Sequence, residues 1–251
     1  MRAFLTSQTS SQHLERFDPE QFSSNERVQI CHCLRKETVR HRDFPDAKWA
    51  MPAEHIQRLE EIYARFEPES PIDRYCWLFK HGVELPGMHG SDCWEERRKV
   101  VENLRAEALQ EILRTQGWEE VLKLSEKVNE PALVGHSLAK AELLPIDLGS
   151  FLNENLGCLE AWRSQMVKGF VTVNANKFGE QWIKSCLDVN LKMWRPEQYG
   201  EFLLCLPFNV SLLNRLDAAD EEVQRYFWSR RQDVSLLEVA QAERGHWSVK
   251  E

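Results

Sequence analysis

The sequence is short of the residues that interrupt helices. Of 251 residues, 11 are glycine and 10 proline, and both types gather between stretches of helical periodicity. Few breakers and long periodic runs exclude a chain of many short strands and point to an all-helical one. Long apolar runs are absent as well. The most apolar window, Phe202–Leu213, is interrupted by Pro207 and Asn209 and is too short to span a bilayer, so no membrane segment is expected. Met1–Ser11 is polar, with a single arginine and no apolar core, which argues against a secretory signal. The seven cysteines are scattered through helical segments and are not spaced as a loop-stapling framework. Reduced thiols in a cytoplasmic protein are the expectation.

Signatures of catalysis are missing too. There is no glycine-rich phosphate loop, dinucleotide fingerprint, nucleophile elbow, H-E-x-x-H pair or EF-hand loop, and no redox Cys-x-x-Cys. The carboxylate doublets Glu60/Glu61, Glu95/Glu96 and Glu119/Glu120 fall at helical positions, where they read as solvated faces and helix-start charges. No catalytic or cofactor-binding residue is assigned from the sequence.

What the chain has in quantity is helical periodicity, clearest from Ser91 to Val128. Asp92 is placed to cap a helix, with Glu95 three residues on to return a bond to the cap. Trp94, Val101, Leu104, Ala108 and Ile112 recur on one helical face, and Gly117 can take a left-handed stop. Trp118, Val121, Leu122, Ser125 and Val128 then mark the inner face of a second helix. Such a hairpin cannot bury both stripes by itself. Upstream, helices are predicted at 25–42, 52–66 and 71–79, the first carrying Val28, Cys31, Leu34, Arg35 and Thr38 on one side, with a loop at 82–90. Downstream, Pro131 opens a helix running to near Leu144, Asp147 caps another to Asn155, and Leu159–Ala175 is helical with a β-branched middle at Val171–Val173. Helices near 178–190, 196–206, 210–216, 219–230 and 234–244 follow, joined by short breaks.

The expected organisation is a poorly ordered segment 1–23, a helical part 24–90, and a helical-hairpin array 91–251. The expected fold class is all-α, with stacked antiparallel hairpins in a solenoid-like array, although no fixed repeat period is present. The last helix ends at Gly245, with Trp247 beyond it and no polar cap, so a longer array or a partner against that end is expected.

Two groups of metal-type ligands were weighed. Cys76, His81, His89 and Cys93 surround the loop, but their C-x4-H-x7-H-x3-C spacing lacks the tight ligand pairs that clamp Zn²⁺. Cys31, His32 and Cys33 are adjacent, and adjacent helical residues diverge by about 100°. No metal is assigned. A net charge of −8 disfavours a general nucleic-acid binder, although basic residues cluster at Arg35–Lys36–Arg40–Arg42, Arg97–Arg98–Lys99 and Arg230–Arg231.

The helix rhythm, with segments such as His41–Pro52 and Trp194–Pro207, resembles the degenerate α-helical-repeat scaffold regions of large bacterial multidomain proteins. That resemblance implies a non-enzymatic scaffold that binds a protein or peptide partner, and it carries no catalytic residue across. Trp49, Trp118, Trp194 and Trp228 would anchor the partner where exposed and serve as buried wedges where not. The alternative is a nucleic-acid-acting module or an enzyme with a site assembled from distant helices.

Overall fold

A computed structural model of the protein describes residues 18–86, 88 and 94–231. Among these residues every regular element is helical. They fall into two compact units, one reaching to Leu143 and one starting at Leu144. None of the described helices is long and apolar enough to cross a membrane. The expected cap at Asp92, the helix at 234–244, Trp247, and residues 1–17 of the expected disordered segment lie outside the described residues.

The first unit is built from α1 (Ser24–Asp43), α2 (Ala53–Phe66), the short α3 (Pro71–Tyr75), α4 (Trp94–Gln116), α5 (Trp118–Lys127) and α6 (Pro131–Lys140). Ser23 starts α1 through a full capping box with Glu26, satisfying otherwise orphaned amides. Ile30, Cys31 and Leu34 of α1 close on Leu59, Ile62 and Phe66 of α2, with Phe22 edge-on to Phe66 at 5.5 Å. Arg27 donates to the Phe66 and Glu67 carbonyls at 3.3 and 2.7 Å, which satisfies the C-terminal end of α2. Short as it is, α3 ties this pair to the rest of the unit. Tyr75 hydroxyl and Arg74 both donate to Glu111 on α4, and Asp73 pairs with Lys127 on α5.

The hairpin read at 91–128 is present as α4 and α5 packed together. Gly117 has φ 86° and ψ −173°, so it is not a helical left-handed stop but an extended conformation with positive φ that only glycine visits readily. The buried stripe of α4 also differs from the expected one. Val101, Ala108 and Ile112 are buried as expected, joined by Arg105 and Leu109, whereas Trp94 in the first turn is 51% exposed. Helix α6 ends at Lys140, earlier than the apolar pattern through Leu144 implied. Glu142 takes a positive φ of 54° there and Leu143 N–H bonds back to the Leu138 carbonyl. A non-glycine residue in that role gives no warning in the sequence.

The second unit contains α7 (Leu148–Asn155), α8 (Ala161–Asn190), α9 (Pro196–Leu204), α10 (Val210–Asp217) and α11 (Glu221–Arg230). Asp147 caps α7 as expected, its carboxylate accepting Ser150 N–H at 2.9 Å. The run α8 is two helical segments broken at Gly179, where φ is 62° and ψ −149°, in keeping with separate helices read before and after residue 177. The β-branched 171–173 stretch is helical all the same. Val171 is fully buried and Thr172 donates to the Cys205 carbonyl, so tertiary contacts override the local propensity. Trp194 is a buried wedge against Phe202, at 5.1 Å between ring centroids, and its indole N–H bonds Asn153.

Candidate functional site

The first unit carries a cleft between α1, residues 79–86 with Met88, and the start of α4. The segment is held from below. Leu78, Phe79 and Val83 bury their side chains, leaving Lys80, His81 and Glu84 directed outward. Gly82 turns the chain at φ 63°, a conformation other side chains resist. From α4, the buried Arg105 donates through Nε to the Leu78 carbonyl at 2.8 Å and through Nη2 to the Lys80 carbonyl at 2.9 Å. Burial lowers the pKa of its guanidinium from the ordinary value.

Two adjoining hollows result. The larger, about 450 Å³, is lined by Lys36, Val39, Arg40 and Asp43 of α1, by Phe44, by Gly82, Glu84, Leu85 and Met88, and by Arg97 of α4. The smaller, about 240 Å³, is lined by Lys80, His81, Val83, Trp94, Arg98, Val101, Arg105 and Leu133, and shares Gly82 and Arg97 with the first. Lys36 and Arg40 stand four residues apart on one face of α1, as helical geometry requires for a shared surface. Arg40 lies over the Trp49 ring at 4.5 Å and Arg98 over the Trp94 ring at 5.0 Å. Arg97 donates to the Met88 carbonyl at 3.4 Å. Phe44, Trp49 and Trp94 are 41, 46 and 51% exposed, so aromatic faces stand beside the cations.

The tertiary structure therefore brings Lys36 and Arg40 of one basic cluster together with Arg97 of another in a hollow that Asp43 and Glu84 also line, on a chain of net charge −8. Arg35 belongs to the same region but is half-buried and stacked on Trp77 at 3.7 Å. Arg42 is engaged by Glu60 in a two-pronged pair at 2.8 Å. Arg230 and Arg231 lie in the second unit, over Tyr226 and over Phe208 and Phe227. Of the four tryptophans considered as anchors, Trp49 is exposed, Trp118 and Trp228 are half-buried, and Trp194 is buried. Trp94, which the sequence placed inside, is the aromatic residue it missed; its position in the first helical turn was the available signal.

His89 and Cys93 of the weighed metal quartet lie outside the described residues, and no group of three or more metal-type ligands occurs among the described ones. Cys76 is half-buried with its pKa raised by burial, and His81 faces Glu130 at 3.7 Å. In the 31–33 trio, Cys31 is buried with its pKa pushed up to about 11 while His32 is exposed toward Arg35, so the side chains do diverge.

Three described histidines in this unit, His32, His41 and His136, have their pKa lowered by burial without lining either hollow. His41 Nδ1 accepts the Met51 N–H at 3.1 Å, which leaves the ring proton on Nε2, facing Glu37 at 3.7 Å. Burial pushes its pKa below the ordinary value against the pull of Glu37; burial and then the Lys140 charge do the same for His136. The unfolded chain thus takes up protons first as pH falls. The stability these neutral rings confer is complete above about pH 6.5 and is lost as pH drops through their depressed folded values. Thermal unfolding followed from about pH 8 to about pH 5 should show this fall in Tm. His41→Asn, which keeps an acceptor near Met51 N–H but cannot titrate, should remove part of it. An unchanged slope in that variant would take His41 out of the account.

Comparisons of the chain with protein-family models, curated proteins and solved structures find no match.

Proposed function

We propose that the chain is a non-enzymatic helical interaction scaffold, of the hairpin-repeat kind its helix rhythm resembles, and that the cleft of the first unit is its working surface. The observation that supports this is the convergence of Lys36 and Arg40 with Arg97 in one hollow. Concentrated cations beside exposed rings attract an anionic partner and give it apolar anchor points, whatever the net charge of the whole chain. An acidic protein segment fits that description. The same convergence also favours a second reading, nucleic-acid binding, which the overall charge had counted against.

Charge reversal at the cleft tests the proposal. Partners captured from native lysate by the tagged chain should be lost from Lys36→Glu/Arg97→Glu, a drop in affinity of about tenfold or more. They should survive Arg58→Glu, an exposed reversal on α2. Equal capture by all three proteins would remove the cleft as the working surface. A nuclease-treated sample separates the two readings.

A further inference from the structure

We infer that the cleft takes a nucleotide unit, free or within a single strand; this rests on the cleft being the working surface. A nucleotide offers a phosphate and a flat ring, and the cleft has a counterpart for each. Lys36, Arg40 and Arg97 gather on the larger hollow, and guanidinium and ammonium groups are the usual phosphate contacts. Trp94 lines the smaller hollow at 51% exposure, with Val83, Val101 and Leu133 also lining it, a surface on which a base stacks. Arg97 and Gly82 line both hollows, so the phosphate region and the aromatic region adjoin.

Glu84 and Asp43 stand among the cations of the larger hollow. They oppose a phosphate as they oppose a peptide carboxylate, and three cations against two carboxylates leave the hollow with one net positive charge. Size agrees: about 450 Å³ is within the range of small-molecule sites and far below what a folded partner occupies. One bound phosphate group also meets less repulsion from a chain of net charge −8 than a long polyanion does.

The test is fluorescence anisotropy of the full chain at low salt, with three labelled probes: adenosine monophosphate, a short single-stranded oligonucleotide and a polyglutamate peptide. A nucleotide probe should bind, weakening about tenfold or more in Lys36→Glu/Arg97→Glu and about fivefold or more in Trp94→Leu. Trp94 is half exposed, so its replacement leaves the fold intact, which circular dichroism checks. A stronger signal for the oligonucleotide identifies a strand as the source, and a stronger one for the monophosphate a free nucleotide. Polyglutamate binding with both nucleotide probes silent overturns the nucleotide inference and leaves the cleft reading standing. So does displacement by inorganic phosphate as effective as by unlabelled monophosphate. No binding of any probe, or binding indifferent to charge reversal, overturns both.

Discussion

Arg105→Met should lower the stability of the first unit by about 2–4 kcal/mol and weaken ligand binding at the cleft together with it. Arg105 is 8% exposed, and its guanidinium spans the Leu78 and Lys80 carbonyls at 2.8 and 2.9 Å. Methionine replaces the aliphatic stem but supplies no donor, so two carbonyls that gave up water on folding lose their charged partner. The segment they belong to carries Lys80 and His81, which line the smaller hollow, and Gly82, which lines both. Arg105→Lys should recover only part of the loss, because one ammonium cannot reproduce a planar fork across two carbonyls. Urea unfolding is the measurement, with the slope against denaturant expected to stay constant. A loss under about 0.5 kcal/mol would mean that water replaces the guanidinium freely and that the clamp is not what holds the wall.

In the second unit the largest effect belongs to Gly200. A Cβ placed there would lie 2.6 Å from Tyr226 Cδ1, with two further Tyr226 atoms at 3.3 and 3.4 Å. Gly200 lies on α9 and Tyr226 on α11, which pack against each other. Tyr226 is not free to swing aside at no cost, since its hydroxyl donates to Glu201 at 3.0 Å. Gly200→Val should therefore destabilise the unit by about 3 kcal/mol or more through overpacking. Gly200→Ala should cost less, because the better helix propensity of alanine returns about 1 kcal/mol. The steric origin has its own signature. Combining Gly200→Ala with Tyr226→Ser should be less damaging than the sum of the two changes, a coupling that thermal unfolding of the four proteins measures. Strict additivity would would place the cost of the alanine elsewhere than in the ring contact.

Much of the helical layout was legible along the chain, and the reasons are local. Asp147, Pro131 and Pro196 sit where helix starts need an acceptor or a fixed φ, and the elements begin at those points; the Ser23–Glu26 box is just as local, although Ser23 falls in the segment expected to be poorly ordered. Where the sequence misled, a tertiary contact or an unannounced backbone state intervened. Trp94 shares the face of Val101 and Ala108, yet it is half exposed because it lies in the first turn of α4, ahead of the buried stripe. Arg105 looks like a solvated cation and is buried, because two backbone carbonyls wait for it across the unit. Glu142 ends α6 in a conformation that nothing about glutamate announces.

The sequence by itself determined that the described chain is helical and where most of its breaks fall, since period, caps and breakers act within a few residues of one another. Only the tertiary structure decided which charges face one another. Lys36 and Arg40 come to line one hollow with Arg97 although α2, α3 and a loop lie between them in the chain, and no periodicity encodes that meeting. A patch of charge depends on where chains cross in space, and net charge, which sums over every face at once, conceals it.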